Sequence, residues 1–178
     1  MSTTRDQLVH LLQARPNRSC LETLIAAAEQ EHSADLKTST EQLRGVWELR
    51  WSSSSQPWLK HVPWLENLQA LDPVEGRGCN LLRLRSPLNS LGGISVQAEL
   101  QIVGSRRVEV QFREGGWIGP SLPNGKQLSL MRKVHQSLPA WLDITVLDEQ
   151  LRICRGNAGT TFALLKRNDL SMADVLQI

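Results

Sequence analysis

The sequence predicts a mainly β chain, an antiparallel up-and-down β-barrel with N-terminal helices. Three observations carry this. The apolar period changes from helical to alternating near Gly45, about eight alternating segments follow, and short connectors rich in turn formers join them.

The first forty-odd residues read as helix. Thr3 or Thr4 can cap, with Asp6 or Gln7 three residues on, ahead of Leu8, Val9, Leu11 and Leu12. Pro16 ends that segment. Ser19 and Glu22 form a second capping box, followed by an apolar stripe of Leu21, Leu24, Ile25 and Ala28 that fades near His32. Thr38 to Leu43 is a polar approach with room for one further turn. Residues 1–42 are thus expected to be a helical segment packed on a barrel domain spanning 43–178.

Alternation starts at Trp47-Glu48-Leu49-Arg50-Trp51, the pattern of a half-buried strand. It recurs at Leu82 to Arg85, most clearly at Ile94 to Ile102, and at Val108, Val110 and Phe112. Leu128 to Leu130, Leu142 to Val146, Leu151 to Ile153 and Phe162 to Leu165 complete the set. Gly104-Ser105, Gly115-Gly116, Pro123-Asn124-Gly125, Asp148-Glu149-Gln150 and Gly156 to Gly159 read as the turns between them. Trp51 to Gly78, with Pro57, Pro63 and Pro73, reads as a long loop with a helical turn at Leu65 to Leu71. Strands with one apolar face must stack as two sheets or close into a barrel.

Composition bounds the function. The chain has 178 residues, 40% hydrophobic and 21% charged, an ordinary globular balance for one domain. A net charge of +2 does not fit a nucleic-acid binder. No window carries the roughly 18 apolar residues of a membrane-spanning helix. Met1 to Asp6 has no secretory pattern, and Cys20, Cys79 and Cys154 are three scattered cysteines without CxxC, so an intracellular, reduced chain is expected. No phosphate-cradling loop, dinucleotide fingerprint or nucleophile elbow occurs. His10, His32, His61 and His135 are isolated, so neither a metal nor a cofactor is expected. Asp143, Asp148 and Glu149 offer an acid–base pair in principle, but Asp148 and Glu149 suit a turn, and Cys154 reads as a small buried hydrophobe.

Gly45-Val46-Trp47 opens the first strand in the manner of lipocalin-like barrels, where the Trp plugs the closed end. The last strand would return beside it and stack Arg167 over Trp47. At Leu142 to Arg167 the chain reads LDITVLDEQLRICRGNAGTTFALLKR, and at Leu43 to Ser55 it reads LRGVWELRWSSSS. Both blocks resemble the plastid lipid-associated protein family, also called fibrillins or plastoglobulins. The resemblance implies a lipocalin-like barrel with helices before it, no enzymatic activity, and attachment to thylakoid membranes or lipid droplets. It also implies binding of carotenoids, quinones, other isoprenoids or lipids, in a photoprotective or structural role. The family's motif falls here on Gly45, Trp47, Asp148, Leu151, Arg152, Arg155, Gly156, Gly159, Phe162 and Arg167. Plastid members start with a transit peptide and this chain shows none, as in a mature form or a bacterial phototroph.

The residues expected to line the barrel and touch a ligand are Trp47, Leu49, Trp51, Ile94, Val96, Ala98, Leu100, Val108, Val110, Phe112, Ile144 and Phe162. Alternatively these side chains fill the lumen themselves, and the protein coats a lipid surface through Trp58 and Trp64, with Lys60 between them. A third reading is an enzyme related to the bilin lyases, using Arg83, Arg85 and Glu99. Alternation places those three on the polar face, outside the barrel.

Overall fold

A computed structural model describes residues 3–14 and 19–176; the stop expected at Pro16 lies outside them. Three helices come first: α1 (Thr4–Ala14), α2 (Leu21–Glu31) and α3 (Leu36–Leu43). Thr3 caps α1, its Oγ1 accepting from the Asp6 N–H. The box at Ser19 does not form: Cys20 stands at the N-cap of α2 and no side chain caps it. Asp35 caps α3 by accepting from the Lys37 N–H.

Nine antiparallel strands follow among the described residues: β1 (Gly45–Ser52), β2 (Leu65–Asp72), β3 (Arg77–Leu84), β4 (Gly93–Val103), β5 (Arg107–Ser121), β6 (Gln127–Lys133), β7 (Ala140–Leu147), β8 (Leu151–Gly156) and β9 (Thr161–Lys166). A short helix, α4 (Ala173–Leu176), closes the described chain. The sheet order is β4-β3-β2-β1-β9-β8-β7-β5-β6, and a further β4–β5 pairing closes eight strands into a ring.

β5 makes the closure possible. Its first half, Arg107 to Val110, pairs with β7. Its second half, Glu114 to Ser121, leaves the ring to pair with β6, while β4 follows it along both halves. The register skips Arg113 between the halves, a β-bulge of the kind that bends a strand out of a barrel. The upper part of β4, edged on its other side by β3, therefore continues through the second half of β5 to β6 as a wing beyond the barrel wall.

Two expectations are corrected by this topology. Leu65 to Leu71 is strand, not a helical turn. The spacing of Leu65, Leu68 and Leu71 imitates a helix because β2 is apolar on both faces: Leu71 joins the core inside the ring, and Leu68 and Ala70 pack under α4 outside it. Gly115-Gly116 is not a turn, because β5 runs straight through it. A methyl group at Gly116 would collide with the Leu130 carbonyl, so the glycine permits a close strand approach.

The barrel is covered unevenly. α1 and α2 lie on the outer faces of β1, β7, β8 and β9, burying Leu8, Leu12, Leu21 and Ile25 against Val146, Leu151, Ile153 and Ala163. α3 stoppers the end where β1 begins, with Leu36 and Leu43 fully buried against Trp47. The Trp47 Nε1–H donates to the Leu43 carbonyl at 2.9 Å, and the Leu36 N–H reaches the Ser105 carbonyl in the β4–β5 turn at 2.7 Å. Trp47 is thus the closed end's central side chain. Replacing it with Ala should cost about 3–5 kcal/mol in urea unfolding, and a loss below about 1 kcal/mol would contradict its role as the plug.

Candidate functional site

Above the Trp47 floor the ring encloses a cavity of about 290 Å³. Its wall is built by alternation. Ala98 and Leu100 come from β4, Val108, Val110 and Phe112 from β5, Leu142 and Ile144 from β7, and Phe162 from β9. Leu71, Gly78, Gln69 and Asn80 complete it from β2 and β3. Leu59 from the β1–β2 loop, Trp141, and Asn157 to Thr160 of the β8–β9 hairpin stand around the mouth, opposite α3.

The floor is charged. Arg152 of β8 is completely buried, its guanidinium carbon 5.1 Å from the Trp47 ring centroid. Lys166 approaches the same ring at 5.1 Å and donates to the Gln42 carbonyl at 2.9 Å. Burial pushes both cations below their ordinary pKa values. Arg152 donates through Nη2 to the Gln69 side-chain oxygen, and its Nε and Nη1 have no hydrogen-bond partner.

A closed antiparallel barrel, helices before it, a Trp at its stoppered end and an apolar lumen form one pattern. The PAP_fibrillin family model matches residues 11–165. The chain belongs to the PAP_fibrillin family. No curated protein and no solved structure matches it.

For this fibrillin the residues behind the resemblance turn out to hold the fold's parts together. Asp148 accepts from the Gln150 and Leu151 N–H groups in the β7–β8 turn and takes a two-pronged contact from Arg5 of α1, both bonds 2.9 Å. Burial raises the Asp148 carboxyl, and the Arg5 and backbone hydrogen bonds outweigh it, leaving the group below its ordinary value. Arg155 grips Glu29 of α2 in the same way. Leu151 is in the core beneath the helices. Gly45 takes a φ of +133° beside Lys166, and Gly159 takes +75° in its hairpin. Gly156 is not among the positive-φ glycines; it sits against the Phe162 ring.

Arg167 does not stack over Trp47. Lys166 is the residue directly opposite Trp47 and shares its inward face, so Arg167, one position on, points outward. There its Nη1 donates to Glu48 at 3.0 Å and Glu66 at 2.8 Å, and a second fork holds Asp169. Arg83 and Arg85 join the same outer cluster, Arg83 on Glu66 at 2.9 Å and Arg85 on Glu48. Glu99 pairs elsewhere with Arg113. The set weighed for an enzyme is therefore not assembled around one pocket.

Five residues expected on the cavity wall lie elsewhere. Trp47 and Leu49 belong to the packed core below it. Trp51 points outward against the helices, because the β1–β9 register skips Arg50 and reverses the alternation. The same device at Thr145 turns Val146 outward while Ile144 stays inside. Ile94 and Val96 keep the inward side of β4 but sit on the wing, with Ile94 51% exposed. Trp58 and Trp64 are both exposed, in the loop beside the mouth. Among the described residues no cluster of His, Cys, Asp or Glu suits a metal, and no helix is long and apolar enough to cross a membrane. Gln69, Leu71 and Asn80 were missed; the signal was alternation within Leu68 to Leu71, hidden by the apolar outer face.

The buried outer carboxylates set a pH limit. Burial alone would raise Glu48, but the Arg85 hydrogen bond and the charges of Arg50, Arg85 and Arg167 hold it below its ordinary 4.5. A depressed carboxylate contributes its full stability above the unfolded value and loses it as pH falls through the folded one. The urea midpoint should therefore decline below about pH 4.5, and Glu48→Gln should show a shallower decline. Equal slopes for the two proteins would show that the cluster adds no pH-dependent stability.

Proposed function

We propose that this fibrillin is a non-catalytic carrier or sequestering protein for a hydrophobic small molecule, working at the edge of a lipid phase. The single observation that carries the reading is the apolar cavity inside a closed eight-strand ring. Barrels of that strand number leave room for one small ligand. At about 290 Å³ the space lies at the lower end of ligand pockets, about 300–1,000 Å³, so a single prenyl or acyl chain fits better than an intact carotenoid. Each buried methylene contributes about 0.8 kcal/mol, enough for micromolar binding of such a chain. Arg83, Arg85 and Glu99 are engaged outside the lumen, which weighs against the bilin-lyase-like alternative built on them. The thylakoid or lipid-droplet setting and the photoprotective or structural role implied by the family belong to the same proposal.

The test is native mass spectrometry with organic extraction of protein purified from a phototroph host. A co-purified single-chain lipid or isoprenoid at near-stoichiometric amount is expected. Ala98→Phe, which pushes a ring into the cavity, should reduce the bound amount at least about tenfold without lowering the melting temperature by more than a few degrees. An empty wild-type protein that also fails to take up prenyl or acyl probes at micromolar concentration would end the carrier reading.

Contact with the lipid phase is best supported at the wing. Ile94, Trp117 and Leu130 stand directly opposite one another across β4, β5 and β6, on the side that continues the cavity wall. Leu130 is 64% exposed, and Leu128, Val134 and Trp117 are exposed with it. From Gly115 to Leu142 the sequence has no carboxylate, and it carries Lys126, Arg132 and Lys133. Exposed apolar residues edged with cations and a Trp fit an anionic lipid surface. Trp58 and Trp64 sit at the same end of the barrel and remain proposed contacts alongside it. In flotation with anionic phospholipid vesicles, Trp117→Ala/Leu130→Ser should lose at least about tenfold in bound fraction. Loss confined to Trp58→Ala/Trp64→Ala would move the contact to the loop.

A further inference from the structure

We infer that the cavity takes an amphipathic ligand with an anionic head, and that Arg152 is the residue that receives the head. The inference deepens the carrier reading and rests on it. Arg152 lines the cavity, is fully buried, and leaves Nε and Nη1 without a partner. Among the described residues it is the one cation in the lining, and the lining has no carboxylate. The neighbouring Cys154 does not supply the missing charge, since burial pushes its thiol up and keeps it protonated. The arginines on the outer side of the barrel wall are matched: Arg5 by Asp148, Arg155 by Glu29, Arg83 by Glu66, and Arg167 by Glu48, Glu66 and Asp169. Lys166, the other cation at the floor, lies outside the cavity lining and is held by the Gln42 carbonyl. The outer guanidiniums are paired, and this one, at the wall of an apolar space, is not.

The Trp47 face and the Gln69 oxygen hold the guanidinium in place but satisfy only part of it. A buried, incompletely paired arginine is costly, and an anionic group bound there would recover charge-assisted hydrogen bonds in a water-poor setting. Gln69 and Asn80 line the same space from neighbouring strands and add amide donors beside the cation. The apolar tail would then run along Ala98, Leu100, Val110 and Phe112 toward the mouth. The shared chemistry is an anionic head on one apolar chain, whether a carboxylate, as in a free fatty acid, or a phosphate, as in a prenyl monophosphate.

The experiment titrates purified protein with a fluorescent polyene fatty acid, its methyl ester and the alcohol of the same chain, then displaces the acid with farnesyl monophosphate. The acid should bind at least about tenfold tighter than the ester or alcohol, a factor that Arg152→Met should remove. Stronger displacement by farnesyl monophosphate than by palmitate would assign the head to phosphate, and the reverse to carboxylate. Equal affinities for acid, ester and alcohol in the wild type would overturn the role of Arg152 while leaving the carrier reading intact. Binding of none of the three would remove both. The wild-type comparison decides the question even where Arg152→Met does not fold, and Gln69→Leu, which keeps the cation, should lower acid affinity alone.

Discussion

One strand with two partners along the same edge shapes this molecule. β5 must close the ring against β7 and also support β6, and both cannot be done along the same stretch. The bulge at Arg113 divides it, so the first half completes an eight-strand barrel and the second half rises out of the wall with β4 alongside. Because β4 keeps its alternation through the division, the inward face of the barrel and the exposed face of the wing are one continuous surface. The cavity wall at Ala98 and Leu100 passes directly into Val96 and Ile94.

Charge is sorted about that surface. The carboxylates Glu48, Glu66, Glu29 and Asp148 lie outside the ring, where they fasten β9's end and the N-terminal helices to it through arginines. Each is a guanidinium–carboxylate contact between elements far apart in sequence, so losing one partner would strand the other in a half-buried place. Inside, the order is reversed: a cation without an anion, over a tryptophan face. The two arrangements answer different demands. Outside, paired charge fixes which helix covers which strands; inside, in the proposed carrier, unpaired charge would make the apolar space selective.

Most of this architecture could be read in the residues. Alternation over Ile94 to Ile102 and the Gly45-Val46-Trp47 opening led to a closed barrel with a plugged end, and the two motif blocks led to the family. What escaped was whatever depends on a single-residue slip. The bulges at Arg50 and Thr145 leave no mark in the pattern of apolar residues, yet each reverses the side on which the following residues stand, moving Trp51 and Val146 onto the helices. Arg167 was placed over Trp47 from the meeting of first and last strands, which is right to within one residue; parity gives that position to Lys166. β2 escaped for the opposite reason. Covered on both faces, by the core within and α4 without, it lost the alternation that marks a half-covered strand.

The placement of Arg152 at the bottom has a consequence for how a ligand enters. A head group bound at the floor requires that the head pass the mouth first and cross the apolar lumen, which is unfavourable for a bare charge in proportion to the water it must give up. The crossing becomes easier if the mouth stands against a lipid surface, where the tail never has to leave apolar contact while the head descends. The wing supplies that continuity, since its exposed face runs unbroken into the wall. In the proposed carrier the deep cation and the apolar wing would be two halves of one device: the wing would lower the cost of moving the chain, and Arg152 would decide which chains stay. A filled barrel serving as a coat would need the wing but would gain nothing from an unpaired guanidinium beneath an open lumen.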